Sequence, residues 1–293
     1  MSAPHKLLVG LIGVGIQHSL TPAMQEAEAA AHGLRLHYQL IDLDRAREGV
    51  QALPGLMQAV RAIGFAGLNI TYPCKQAVIP LLDDLSDEAR AMDAVNTVVF
   101  QGDAGGVRAV GHNTDGSGWR WGFERTLPDA DLSRVVLLGA GGAGSAIAHS
   151  LCRMKAGQLV IVDSDGARAA ALAAELARHY RGVAVAGSSD AAAALQGASG
   201  LVHATPTGMA KLPGLPLAAS LLRPELWVAE IVYFPLETTL LQAARAAGCR
   251  VVDGGTMAVG QALGAFELFT GRVADASRID AHFRRLVTAD AVR

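Results

Sequence analysis

Short apolar runs alternate with longer amphipathic runs along most of the chain, which is the pattern of alternating strands and helices. The apolar or alternating runs predict strands over 7–13, 35–42, 65–71, 95–101, 107–111, 134–138, 158–163, 183–186, 200–203, 226–231 and 250–252. Runs rich in Ala, Leu, Glu and Arg predict helices over 21–31, 55–63, 76–82, 86–93, 145–155, 166–180, 190–196 and 237–247, and two more after residue 257. Several strands are apolar at every position, as strands buried on both faces are. The sequence therefore predicts an α/β fold with mainly parallel sheets.

Local signals refine three of these elements. Thr21 followed by Pro22 is typical of an N-cap and a first helical residue. Ser86 is a second candidate N-cap. Strands 95–101 and 107–111 flank a glycine-rich stretch and predict a hairpin.

The strand–helix series starts afresh at residue 134, so two domains are expected. The glycine-rich segment 116–133 is the predicted passage between them. We expect a first domain over 1–117, completed by the C-terminal helices 257–293, and a second domain over 118–256.

Composition narrows the classes of protein. The 293 residues are 51% apolar and 18% charged, which excludes global disorder. A net charge of −2 gives no reason to expect a nucleic-acid partner or a polybasic membrane anchor. No apolar run reaches the length of a membrane span. Residues 7–16 superficially resemble a secretory signal, but they contain three glycines and no cleavage site follows, so a buried strand is the better interpretation.

The three cysteines, Cys74, Cys152 and Cys249, are far apart and form no CxxC pair. A disulfide framework and a metal site are therefore not expected, and a cytoplasmic location is the natural interpretation. The sequence leaves a monomer and a homodimer open.

One glycine motif predicts a cofactor. The hexapeptide at 139–144 fits GxGxxG, directly follows a predicted strand and opens a predicted helix. In such a turn the backbone N–H groups at the helix N-terminus bind a pyrophosphate. The expected cofactor contacts here are Gly139, Ala140, Gly141, Gly142, Ala143 and Gly144.

Asp163 ends the next predicted strand, 19 residues after Gly144. A carboxylate at this position accepts hydrogen bonds from a ribose diol and repels a 2′-phosphate, so NAD is expected and NADP is disfavoured. Arg168, the nearest cation, either stacks on adenine or is a solvated helix residue.

Three polar clusters follow predicted strands of the first half, at 18–22, 69–75 and 111–115, with Asn96 just before the third. Ligands bind beyond the carboxyl ends of parallel strands. These side chains suit a small polyol acid, a small-molecule substrate.

The same motifs, in the same order, resemble the shikimate/quinate dehydrogenase family over nearly the whole chain. The matching segments are SLTP (19–22), NITYPCK (69–75), AVNT (94–97), GHNTDG (111–116), GAGGAG (139–144), ATPTGM (204–209), VYFPLETTLL (232–241) and residues 255–271. The resemblance implies an N-terminal α/β substrate domain, a Rossmann domain and C-terminal helices that return to the first domain.

The resemblance makes Lys75 and Asp115 the catalytic pair. Chemistry agrees, because oxidising a secondary alcohol sends a hydride to nicotinamide and a proton to a base. The resemblance assigns the substrate to Ser19, Thr21, Thr71, Asn96, Tyr233 and Gln261. It assigns further cofactor contacts to Thr205, Met209 and Gly254. The alternatives to these functional roles are purely structural. Lys75 would be a surface lysine, Asp115 a turn residue, and Ser19 and Thr21 helix caps.

Some positions depart from the common family pattern. Thr21 replaces a serine, Asp163-Ser164 replaces an Asn-Arg pair that recognises a 2′-phosphate, and Gln25 replaces a histidine. The first two departures resemble the NAD-dependent quinate/shikimate branch, which serves catabolic oxidation. A biosynthetic 3-dehydroshikimate reductase, a dehydrogenase of amino analogues and a non-catalytic ligand sensor remain the alternatives.

Overall fold

The computed structural model describes residues 6–103 and 106–290, and the chain divides into two compact units. Of the described residues, the first holds those up to Thr114 and Gln261–Leu286, while the second holds Asp115–Gly260 and 287–290. The domain boundaries expected from the sequence, after residues 117 and 256, stay a prediction. The α/β class with mainly parallel sheets is confirmed.

The first unit is built on a six-stranded sheet. Its strands are β1 (Lys6–Gly13), β2 (Arg35–Asp42), β3 (Gly67–Ile70), β4 (Asp84–Leu85), β5 (Thr97–Asp103) and β6 (Gly106–His112), in the order β2-β1-β3-β5-β6-β4. Only β5 runs antiparallel to its neighbours among the described strands. The predicted hairpin is therefore confirmed as β5–β6, although residues 104 and 105 of its turn lie outside the described residues.

Helices cover this sheet: α1 (Thr21–Ala31), α2 (Leu53–Ile63), α3 (Cys74–Ala77) and α4 (Asp87–Met92), with short 3₁₀ turns at Leu43–Arg45, Gly49–Ala52 and Ile79–Leu81. Ser86 caps α4 as predicted, since its Oγ accepts a hydrogen bond from the Ala89 N–H at 3.2 Å. The cap predicted at Thr21 is wrong. Helix α1 already includes Thr21, and Ser19 Oγ accepts the Thr21 N–H at 3.3 Å instead.

The second unit is a doubly wound parallel sheet. Its strands are β7 (Arg134–Leu138), β8 (Gln158–Val162), β9 (Ala184–Ser188), β10 (Gly200–His203), β11 (Trp227–Glu230) and β12 (Arg250–Val252), in the order β12-β11-β10-β7-β8-β9. The strand order reverses between β7 and β10, and ligands of such sheets bind at the carboxyl ends beside that point. Every pairing among these strands is parallel.

The helices of this half are α5 (Asp115–Thr126), α6 (Gly142–Arg153), α7 (Gly166–His179), α8 (Ala191–Ala194) and α9 (Thr239–Ala246), with a 3₁₀ turn at Ala219–Leu221. They are followed by α10 (Gly255–Thr270) and α11 (Ala276–Asp290). Apolar side chains of β7, β8 and β10 form the core with those of α5, α6 and α7. No helix within 6–103 or 106–290 is both long and apolar enough to cross a bilayer.

The glycine-rich segment 116–133, predicted as the passage between the domains, begins as a helix, because Asp115–Thr126 is helical. Its glycines serve close packing. A Cβ on Gly122 would lie 2.7 Å from the Thr256 side chain, and a Cβ on Gly260 would overlap the Gly118 carbonyl. Helix α5 therefore packs against the start of α10 at a distance that larger residues would not allow.

The three cysteines are free and buried. Burial raises the pKa of the Cys152 thiol to about 12, so this sulfur stays protonated and unreactive at neutral pH.

Candidate active site

Four predicted substrate-site segments meet at one edge of the first sheet. Ser19 follows β1, Thr71 follows β3 and Thr114 follows β6. Asn96 precedes β5, and because β5 runs in the opposite direction its first residue lies at that same edge. We call Ser19, Thr71, Asn96 and Thr114 the polar edge. The prediction that these clusters follow strand ends is confirmed for this unit, and the reversal of β5 explains how Asn96 joins them.

Asn96 is the centre of the polar edge and is buried. Its Nδ2 donates to Thr114 Oγ1 at 3.0 Å, and its Oδ1 accepts the Thr114 N–H at 2.8 Å and the Thr97 hydroxyl at 2.9 Å. Its main chain bonds β3 and β6, with Ile70 N–H donating to it and its own N–H donating to His112. The side chain is thus a brace as well as a candidate ligand.

Lys75 is tied to this edge through its backbone. Thr71 N–H donates to the Ile12 carbonyl at 2.9 Å, and the Thr71 carbonyl accepts the Cys74 N–H at 2.8 Å, which starts the short helix α3. The Lys75 carbonyl then accepts the Val95 N–H at 2.9 Å, one residue before Asn96. The half-buried lysine is therefore held beside the polar edge by its main chain.

Helix α1 adds a polar residue one turn beyond Thr21. Gln25 is buried, and its Nε2 donates to the Ala262 carbonyl of α10 at 2.8 Å. Ala262 follows Gln261, a predicted substrate contact that is partly buried in the same unit. Gln25 thus fixes α10 at the residue after Gln261.

Asp115 is the first residue of α5 and is 3% exposed. It belongs to the second unit, whereas Lys75 belongs to the first. The Asn96 contacts fix Thr114, the residue that precedes Asp115.

The glycine loop of the second unit fits a pyrophosphate. Gly139 has a positive φ of 104°, and a Cβ on Gly144 would overlap the Gly139 carbonyl, so both positions require glycine. A Cβ on Gly141 or Gly142 would meet nothing within 4 Å, which leaves open space in front of the α6 N-terminus. The first N–H groups of this 12-residue helix have no acceptor inside the helix, as an anion site requires.

Asp163 braces this loop, a role that the sequence did not reveal. Its Oδ2 accepts the Ala140 N–H at 2.8 Å, and its Oδ1 accepts the Asp165 N–H at 2.9 Å. Burial raises the pKa of this carboxyl, but the two N–H donors and Arg168 outweigh burial and lower the pKa below its ordinary value. The carboxylate is therefore charged at neutral pH. Arg168 is 56% exposed and lies 3.9 Å from Asp163 and 3.8 Å from Asp165.

A buried polar network ends strands β10 and β11. His203 and Glu230 are register partners with fully buried side chains, and His203 Nδ1 lies 2.8 Å from Glu230 Oε1. His203 Nε2 lies 2.5 Å from Thr205 Oγ1. Sequence reasoning named Thr205 but missed His203 and Glu230. The available signal was a polar residue at the end of each of two apolar strands.

The remaining predicted contacts differ in burial. Met209 and Tyr233 are 43% and 44% exposed. Gly254 is buried, and a Cβ there would overlap the carbonyls of Ile231 and Val232, so the chain after β12 passes close to the chain after β11.

Comparison with known proteins agrees with this arrangement. The family model for the shikimate dehydrogenase substrate binding domain matches residues 11–98. The chain is 57% identical to "Shikimate dehydrogenase (NADP(+))" of Streptomyces avermitilis, over 98% of both chains. It is 48% identical to "Quinate/shikimate dehydrogenase (NAD(+))" of Corynebacterium efficiens, over 96% of this chain and 98% of that one.

A solved structure is similar throughout. Quinate dehydrogenase from Corynebacterium glutamicum in complex with NAD superposes with a TM-score of 0.90 at 44% identity, covering 96% of this chain and 99% of that chain. With identity of this level over nearly the full length, the chain belongs to the shikimate dehydrogenase family.

Proposed function

We propose that the protein is an NAD-dependent dehydrogenase that reversibly oxidises the C3 hydroxyl of quinate, shikimate or both to the 3-dehydro ketone. The polar edge carries this proposal. It brings three hydroxyls and an amide to the sheet edge beside the segment that bears Lys75, in a chain that also has a dinucleotide-type glycine loop. The names and substrates of the relatives support the same reaction class.

Lys75 is the proposed base. A neutral lysine amine takes the C3 hydroxyl proton on Nζ, and Asp115 orients the amine and hydrogen-bonds the reacting diol. Bound NAD supplies the acceptor for the hydride that leaves C3. In the reverse direction the protonated amine returns its proton to the alkoxide oxygen.

The substrate-binding proposal follows the hydroxyls and amides of the first unit. Ser19 and Thr21 bind the substrate carboxylate, and their partial burial leaves their hydroxyls reachable. Thr71, Asn96 and Gln261 bind ring hydroxyls, and Tyr233 borders the substrate. Each ring hydroxyl can donate and accept a hydrogen bond, and hydroxyl and amide side chains can likewise do both.

NAD is the proposed cofactor because the Asp163 carboxylate is charged and has lone pairs left for a ribose diol after accepting one main-chain N–H on each oxygen. A 2′-phosphate would meet that charge and the carboxylate of Asp165. NADP is the second candidate. The exposed guanidinium of Arg168 favours it, as does the cofactor in the name of the Streptomyces relative.

Steady-state kinetics with quinate, shikimate and an amino analogue, each with NAD and with NADP, tests both parts. We expect kcat/KM to be higher with NAD and to fall for the Asp163→Asn variant, while Arg168→Ala changes the NAD value little. A preference of the wild-type protein for NADP that disappears in Arg168→Ala would establish the second candidate instead.

A further inference from the structure

The network at the ends of β10 and β11 has a defined direction of hydrogen bonding. Glu230 Oε1 accepts the N–H groups of Ile231 and Val232 at 2.8 and 3.0 Å. Its Oε2 accepts the Thr238 hydroxyl at 3.0 Å. Because these partners all donate, they match an ionised carboxylate, and His203 Nδ1 must donate to it as well.

The proton on Nδ1 of His203 also determines the hydrogen bond between the imidazole and Thr205. When Nδ1 of a neutral histidine carries the proton, Nε2 is an acceptor. In this neutral tautomer, with the proton on Nδ1, the Thr205 hydroxyl donates its only proton to His203 Nε2. Towards any other group Thr205 Oγ1 can then act only as an acceptor. The Thr207 N–H, at 3.4 Å, is a weak donor to it and leaves a lone pair for a ligand.

Thr205 lies against the cofactor loop. A Cβ on Gly139 would lie 2.6 Å from the Ala204 carbonyl and 3.1 Å from the Thr205 methyl group. In the sheet order, β10 is on the opposite side of β7 from β8, and Asp163 directly follows β8. If Asp163 takes the adenosine ribose, the other end of a dinucleotide extends over β10, where the partly exposed Thr205 is found.

We propose that His203 and Glu230 are positioning residues that hold Thr205 as a hydrogen-bond acceptor for the carboxamide N–H of the nicotinamide. This inference rests on the proposed use of a nicotinamide dinucleotide, but it is independent of which polyol acid is oxidised. The network selects the amide group and fixes the ring that receives the hydride.

Binding of three ligands to the free protein tests the proposal by calorimetry: NAD, its 3-acetylpyridine analogue, and ADP-ribose. The analogue has a methyl ketone where nicotinamide has an amide, so it lacks the N–H donor. ADP-ribose lacks the ring altogether. The wild-type protein should bind NAD about tenfold more tightly than the analogue, the scale of one hydrogen bond.

Two variants distinguish the loss of the proposed hydrogen bond to nicotinamide from a loss of folding. Thr205→Val removes the acceptor at nearly constant shape. His203→Asn keeps an amide donor near Glu230 but does not reach Thr205. Both should lower the NAD-to-analogue affinity ratio to about one and leave the affinity for ADP-ribose within about twofold of wild type. Thermal unfolding confirms that each variant is folded.

Matched substitutions elsewhere in the second unit serve as controls. Thr126→Val removes a hydroxyl that donates to the Gly122 carbonyl, and His149→Asn changes another fully buried histidine. Both should keep the wild-type ratio. If Thr205→Val or His203→Asn keeps the ratio, or if ADP-ribose affinity falls in parallel with that for NAD, the proposal is overturned. Because no polyol substrate is present, a failure of quinate or shikimate oxidation leaves this test unaffected.

Discussion

The side chain of Asn96 makes two hydrogen bonds to Thr114. Its Oδ1 accepts the Thr114 main-chain N–H at 2.8 Å, and its Nδ2 donates to the Thr114 hydroxyl at 3.0 Å. Both groups are buried. The pair joins the start of β5 to the end of β6 and fixes the chain one residue before Asp115. A residue expected to bind substrate therefore also stabilises the chain that follows β6.

Asn96→Ala should destabilise the protein by about 1–3 kcal/mol, because the buried Thr114 N–H loses its acceptor. Thr114→Val removes only the hydroxyl contact and should cost about 1 kcal/mol. Urea unfolding measures both values. Equal stability of Asn96→Ala and the wild-type protein would show that the contact is not a brace.

Lys75→Ala should lower kcat by at least ~10²-fold with a smaller change in KM, as expected for the loss of a general base. Gln76→Ala, at the exposed neighbouring position of α3, is the matched control and should retain turnover. Steady-state kinetics on both variants decides. Near-wild-type turnover of Lys75→Ala would remove this residue from the mechanism.

Two glycine substitutions in the cofactor loop should have different effects. In Gly144→Ala the new methyl overlaps the Gly139 carbonyl, so both stability and NAD affinity should fall. In Gly141→Ala the methyl enters open space, so the thermal midpoint should stay near that of wild type while NAD affinity falls at least ~10-fold through crowding of the pyrophosphate. Calorimetry of unfolding and of binding separates the two effects. Unchanged NAD affinity in Gly141→Ala would contradict the placement of the pyrophosphate.

A buried ion pair in the first unit should make stability depend on pH. The Glu28 side chain is fully buried, and Arg278 donates to it at 2.6 and 2.8 Å. Burial raises the pKa of Glu28, but Arg278, the Asp275 N–H and His32 outweigh burial and lower the pKa below its ordinary value. The pair therefore stabilises the fold above about pH 4.5, and that contribution is lost as pH falls through the lowered pKa.

Arg278→Ala tests this dependence. At pH 7 it should cost about 1–3 kcal/mol, less than for a fully buried pair because Arg278 is 40% exposed. The deficit should shrink as the pH falls below about 4.5, where the contribution of the charged pair is lost. Arg284→Ala, which removes an exposed i,i+4 pair with Asp280, is the control and should cost under about 1 kcal/mol. A deficit that stays constant from pH 7 to 4 would rule out the charge of Glu28 as its cause.

Local pattern sufficed for much of the fold. Strand β7, the glycine loop and helix α6 follow from an apolar run, a spacing and a helical period, all local features. Helix α5 did not, because its glycines have low helix propensity, and the close packing of Gly118 and Gly122 against α10 is seen only in the folded chain. The two-residue strand β4 is too short to show a period.

The candidate site also has features that the local sequence shows and features that only the folded chain shows. Asp163 was found from its spacing after the glycine loop, but its bond to the Ala140 N–H required the folded turn. His203 and Glu230 are 27 residues apart and meet only because β10 and β11 are parallel neighbours in register. Such a pair cannot be predicted from the sequence until the strand order is known.

Isotope tracing follows the hydride from C3 of the substrate to the cofactor. Quinate and shikimate carrying deuterium at C3 are each incubated with the purified protein and NAD, and the reduced cofactor is analysed by mass spectrometry. Deuterium from C3 of at least one of the two acids should be transferred to the nicotinamide ring, whereas deuterium placed at another ring carbon should not. Reduced cofactor without the C3 label, or no reduction with either acid, would contradict the proposed oxidation at C3.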